Sequence, residues 1–104
     1  MDNHVSVDLD WVTSRIDGAP EALRSRVEEW ISRCSDSAVP DRLASAGALA
    51  LSAADKPGAG RESALDLLAA DALITLALLH HAEHEPAGLE SAARQLRVRA
   101  VEAA

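Results

Sequence analysis

Apolar residues recur along this chain at intervals of three and four, and proline, glycine or short polar runs break the pattern into helix-sized segments. The first segment, 8–16, opens with Asp8 and Asp10, which suit a positive helix N-terminus. It presents Leu9, Val12 and Ile16 on one face and stops near Gly18. Pro20 stands where a first helical residue is tolerated, and Leu23, Val27, Trp30, Ile31 and Cys34 follow at amphipathic spacing. Arg24 to Glu28 and Glu29 to Arg33 fall four apart, as on a solvated face. A polar link, Ser35-Asp36-Ser37, precedes Pro40 and a third helix to about Ala54, one face of which is small: Leu43, Ala46, Gly47, Ala50 and Ala53, flanked by Leu49 and Leu51.

The stretch Lys56-Pro57-Gly58-Ala59-Gly60 reads as a loop. It lacks the Gly-Lys-Ser/Thr ending after a strand that a phosphate cradle requires. A long helix is expected over 61–85, about 37 Å at ~1.5 Å per residue. Leu65, Leu68, Ala72, Leu76 and Leu79 mark one of its faces, and Leu67, Ile74 and Leu78 another. A helix apolar on nearly every side must be covered on nearly every side. Pro86 ends it, and a last helix carries Leu89, Ala93, Leu96, Ala100 and Ala103 on one side, with Arg94, Arg97 and Arg99 making it mildly basic. The expected fold is a single all-α domain over 1–104, a bundle of four main helices plus a short N-terminal one, packed around the helix near 61–85.

Composition strengthens this reading. The 104 residues include 22 Ala and 14 Leu but only two Trp and no Phe or Tyr, so strong helix formers dominate and strand formers are scarce. With 48% apolar and 26% charged residues, the chain is too apolar for a disordered polypeptide. The net charge of −7 disfavours nucleic acid, which requires a basic surface. A lone cysteine, Cys34, fits a reducing cytoplasm, and Met1-Asp2-Asn3-His4 does not begin like a secretory signal. The greasiest run, 67–79, carries Asp71 and falls short of the ~20 residues of a bilayer span, so no membrane is expected.

Candidate chemistry is sparse. His80 and His84, four apart on one helical face in His80-His81-Ala82-Glu83-His84-Glu85, have the spacing by which a helix supplies two imidazoles to a transition metal; other ligands would come from His4, Cys34, Glu83 or an acid elsewhere. Position 81 lacks the Glu of the zinc-protease pattern, and no Glu lies three residues before a His, as di-iron bundles require. The alternative role for these histidines is at the helix C-terminus, capping carbonyls and interacting with the dipole. Asp71, set among Leu, Ala and Ile, is a candidate for a buried ion pair with Arg42 or Arg94, or else faces solvent. Asp66 is adequately explained by the helix dipole.

The segment 64–77, Ala-Leu-Asp-Leu-Leu-Ala-Ala-Asp-Ala-Leu-Ile-Thr-Leu-Ala, resembles the helix after the first aspartate-rich motif of trans-prenyl diphosphate synthases. The Asp-Asp-x-x-Asp that holds Mg²⁺ and diphosphate in that family is absent, so the activity is not carried over. No nucleophile elbow is present, and no enzymatic function or cofactor is expected. The expected function is protein interaction or self-association, because small Ala-rich helices have little bulk to cover the long one. Leu67, Ile74 and Leu78 are the expected partner-facing residues, and a twofold homodimer is the default assembly. The alternative is a small metal- or ligand-binding protein using His80 and His84.

Overall fold

The structure, a computed structural model, describes residues 3–58 and 60–103, with side chains described for 9–58 and 60–102. The helices run in the order α1 (Asn3–Arg15), α2 (Glu21–Ser32), α3 (Val39–Ala54), α4 (Arg61–His84) and α5 (Leu89–Ala103), with one 3-10 turn at Pro86–Gly88 before α5. Among the described residues there is no strand, and the fold is the all-α bundle expected from the apolar spacing.

Local chemistry sets the helix ends. Pro20 stands just outside α2 in extended backbone (φ −57°, ψ 147°), and its carbonyl accepts from Leu23 and Arg24 at 3.1 and 3.0 Å. Pro40 lies in the first turn of α3, where a missing N–H removes no intrahelical bond. Between α3 and α4, Gly58 and Gly60 take φ of +79° and +58°, a region that L side chains resist, so the tight reversal depends on glycine. The Ser63 hydroxyl donates to the Ala54 carbonyl and ties the start of α4 to the end of α3.

α3 and α4 form the most extensive helix pair. At 24 residues α4 is about 36 Å long. It therefore spans most of the 39 Å long dimension of a 39 × 28 × 26 Å molecule. At the crossing, a Cβ placed on Gly47 would stand 3.0 Å from Ile74 Cγ1 and 3.5 Å from Leu73 Cβ, so the absence of a side chain permits this approach. The buried stripe of α4 combines three alanines, Ala69, Ala70 and Ala77, with two leucines, Leu73 and Leu76.

The burial pattern corrects the two leucine rows read from the sequence. Of the residues in the two rows only Leu76 is buried; the rest of the buried side of α4, Asp66, Ala69, Ala70, Leu73 and Ala77, belongs to neither row, while Leu68 of one row and Leu67 of the other are 56% and 54% exposed. Leu65, Ala72, Ile74, Leu78 and Leu79 are half-buried at the margins. The approach of α3 at Gly47 sets which side of α4 is covered, and that side takes in Leu73 and Leu76 as well as the three alanines.

The other helices complete the core with Val12 from α1, Ile16 just after it, Val27, Trp30 and Ile31 from α2, and Ala92 and Leu96 from α5. Arg42 Nε donates to the Ile31 carbonyl at 3.2 Å and satisfies an acceptor near the C-terminus of α2. Arg99 Nη1 donates to Ser45 Oγ (3.1 Å), which donates to Asp36 Oδ2 (3.2 Å), joining α5, α3 and the link between α2 and α3.

Candidate interaction surface

α4 carries both of the polar clusters singled out in the sequence and the largest exposed apolar residues of the central helix. Its rotation about its own axis is fixed by Asp66. This carboxylate is 7% exposed and accepts from Arg26 Nη1 at 2.5 Å and from Trp30 Nε1 at 3.0 Å, both donors belonging to α2. Arg26 Nη2 also donates to Glu62 one turn earlier, and Arg26 Nε lies 3.8 Å from Glu29. The hydrogen bonds to Glu62 and then Asp66 push the Arg26 guanidinium above its ordinary range, against the opposing effect of burial. A buried carboxylate held by two donors is satisfied, and it fixes which side of α4 faces inward.

Of the two readings of Asp71, ion-paired or facing solvent, the second holds, and the buried acid of α4 is Asp66. Asp71 is exposed, and among the described residues it makes no ion pair with Arg42 or Arg94. Five residues separate the two acids, about 500° of helical rotation, so one points in and the other out. The signal that distinguishes them in the sequence is Arg26 and Trp30, four apart on α2, which form a donor pair for one carboxylate.

At the other end of α4, His80 and His84 share a face as their spacing implied, but they stack. Their ring centroids are 4.1 Å apart and their planes 18° apart. An imidazole-bound metal lies near the ring plane at ~2.0–2.1 Å from nitrogen, and two nearly parallel stacked rings do not share such a point. His84 Nδ1 donates to the His80 carbonyl (3.0 Å), the capping role. Trp11 of α1 packs its ring against both, 5.0 Å from His80 and 6.2 Å from His84, near-perpendicular in each case. Glu83 Oε1 accepts from Trp11 Nε1 (3.1 Å) and Arg15 Nη2 (2.7 Å), so it is engaged in docking α1. The His4 side chain lies outside the described residues. Among the described residues no group of three or more His, Cys, Asp and Glu is arranged to hold a metal ion.

Cys34 is buried, with Sγ 3.6 Å from the Trp30 carbonyl. Burial, with the Asp36 charge adding and Arg42 opposing, pushes its thiol up. A thiol disfavoured as thiolate and shielded from solvent reacts slowly. Alkylation of native protein at neutral pH is expected to be at least about tenfold slower than in urea, as followed by mass spectrometry; equal rates would contradict the burial. Because the folded thiol is raised, its contribution to stability is complete below the unfolded thiol's titration and declines as pH rises through the alkaline range.

What remains on α4 is its outer face. Ala64, Leu67, Leu68, Asp71, Thr75 and Ala82 are exposed there. Of the partner-facing residues expected from the sequence, Leu67 is on this surface, Leu78 stands at its margin, and Ile74 turns inward against Gly47. Leu68, assigned from the sequence to a covered row, belongs with Leu67. Beside Leu67 an open groove of about 420 Å³ runs along Leu51, Ala54, Gly58, Gly60, Ser63 and Ala64, with the charged side chains Asp55 and Lys56 also in its wall. A ridge of leucine thus adjoins a groove lined largely by small residues.

No family model, curated protein or solved structure matches the chain. α4 is longer than the 13-residue greasy run at its centre, and it is the one helix among the described residues that is long and apolar enough to cross a membrane. Its best 18-residue window has a mean hydropathy of 1.6, with a third of that window buried inside the bundle.

Proposed function

We propose that this chain is a self-associating helical module that uses the outer face of α4 to bind a second subunit. The observation that carries the reading is the pair Leu67 and Leu68, 54% and 56% exposed at adjacent positions on the helix that otherwise forms the centre of the fold. Single exposed leucines are ordinary on soluble proteins, but an apolar ridge beside a groove on the central helix is the form of an interface. Removing apolar area from water contributes roughly 25 cal/mol per Å², so covering both leucines is favourable. The outer face also bears Asp71, which is costly in hydrocarbon and tolerable at a hydrated protein interface. Net charge of −7 makes nucleic acid a poor partner, and the stacked histidines give the metal-binding alternative less support.

Leu68→Glu tests the reading, with Val101→Glu as the control, since Val101 is 73% exposed and belongs to a different helix, α5. Light scattering after size exclusion is expected to show the Leu68 variant at the monomer mass under conditions where wild type and the control are dimeric, with helicity retained by circular dichroism. Equal masses for all three proteins would overturn the proposal.

A further inference from the structure

We infer that the partner on α4 is a second copy of this chain, docked antiparallel with its twofold axis near residue 66, so that Arg61 of each subunit pairs with Asp71 of the other. The inference rests on the self-association reading and adds orientation and register to it. Arg61 and Asp71 are both exposed, and among the described residues neither makes an ion pair within the subunit. They bracket the Ala64, Leu67 and Leu68 patch, Arg61 at its N-terminal end and Asp71 at its C-terminal end, ten residues or about 15 Å apart along the axis.

This arrangement is complementary to its own inverse. In a parallel twofold dimer each residue meets its own copy, which would set Arg61 against Arg61 and Asp71 against Asp71 across an apolar centre. In the antiparallel arrangement, positions equidistant from 66 face one another. Arg61 then meets Asp71 and Ala64 meets Leu68, each pair occurring twice because the interface is isologous. Leu68 of one subunit falls on the small side chain at Ala64 of the other, large against small. The groove beside Leu67, with Gly58 and Gly60 in its wall, leaves room where the α3–α4 loop of one subunit approaches the other. Charge pairing of this kind selects orientation and excludes the like-charge alternative.

The test is charge reversal read by sedimentation velocity. Arg61→Asp alone and Asp71→Arg alone each turn two attractive pairs into two repulsive ones, and each is expected to weaken self-association on the order of tenfold to a hundredfold. Mixing the two variants restores both pairs, so the mixture is expected to form a heterodimer at concentrations where each variant alone is monomeric. The double variant Arg61→Asp/Asp71→Arg is expected to regain homodimerisation. Both positions are exposed, and circular dichroism checks that helicity is unchanged. A dimeric wild type whose single reversals associate equally well would overturn the register and leave self-association standing. Weakened singles that fail to combine would do the same. A monomeric wild type would overturn both readings.

Discussion

Asp66→Ala is expected to lower the unfolding free energy by about 3 kcal/mol, measured by urea denaturation followed by tryptophan fluorescence and circular dichroism. Removing the carboxylate leaves Trp30 Nε1 without its acceptor in a buried position and strips Arg26, whose side chain is 18% exposed, of its best-shielded partner. Breaking a buried pair by deleting one member typically costs ~3–5 kcal/mol. The lower end applies because Arg26 keeps Glu62 and Glu29 beside it and remains partly in contact with water. A domain of this size is stable by only ~5–15 kcal/mol, so the loss is a large fraction of the whole. Asp66→Asn, which retains an acceptor for Trp30, is expected to cost roughly half as much, since the charge-assisted part of the interaction is lost and the hydrogen bond is kept. Asp71→Ala, at an exposed position, is expected to stay within about 0.5 kcal/mol of wild type. A result in which the two alanine variants are equally stable would contradict the assignment of Asp66 as the inward acid.

Gly47→Val attacks the fold at the other contact on which α4 depends. The Cβ alone comes within 3.0 Å of Ile74 Cγ1 and 3.5 Å of Leu73 Cβ, and the two branching methyl groups have no space unless α3 and α4 separate. Overpacking of a close-packed core costs typically ~1–3 kcal/mol, and separation of the most extensive helix pair places this change at the upper end. The expected melting temperature falls by on the order of 10 °C, given ~4–8 °C per kcal/mol for a domain of about this size. Gly47→Ala should change stability much less, because the ~1 kcal/mol gain in helix propensity offsets the pressure on Ile74. Calorimetry on the two variants separates these effects; a neutral Gly47→Val would show that the helices do not approach as closely as described.

The helix pattern was readable from the chain alone because prolines, glycines and apolar spacing act locally. Pro20, Pro40 and Pro86 sit at helix boundaries, and the loop around Gly58 and Gly60 falls where the glycines require it. The inward face of α4 was not readable, because it is decided by a partner helix. The spacing marks Leu67, Ile74 and Leu78 as partner-facing and sets Leu68 in the other row. The close approach of α3 at Gly47 instead draws Ile74 inward, buries Leu73 and Leu76 together with Ala69, Ala70 and Ala77, and leaves Leu68 outside beside Leu67. The acids follow the same logic: Asp71 has the more apolar sequence neighbours, but Asp66 has Arg26 and Trp30 across from it in space. The histidine spacing correctly placed His80 and His84 on one face, and Trp11, 69 and 73 positions away in sequence, accounts for what they pack against.

The scarcity of aromatic bulk and the closeness of the central helices have one joint consequence, an apolar outer face on α4 that the subunit does not cover. Sedimentation equilibrium of the wild-type protein tests it most directly. Over a range from about one to several hundred micromolar, the weight-average mass is expected to rise from the 10.9 kDa of one chain to twice that value and level off there. A mass that stays at 10.9 kDa across the whole range would contradict the claim that the outer face of α4 joins two subunits.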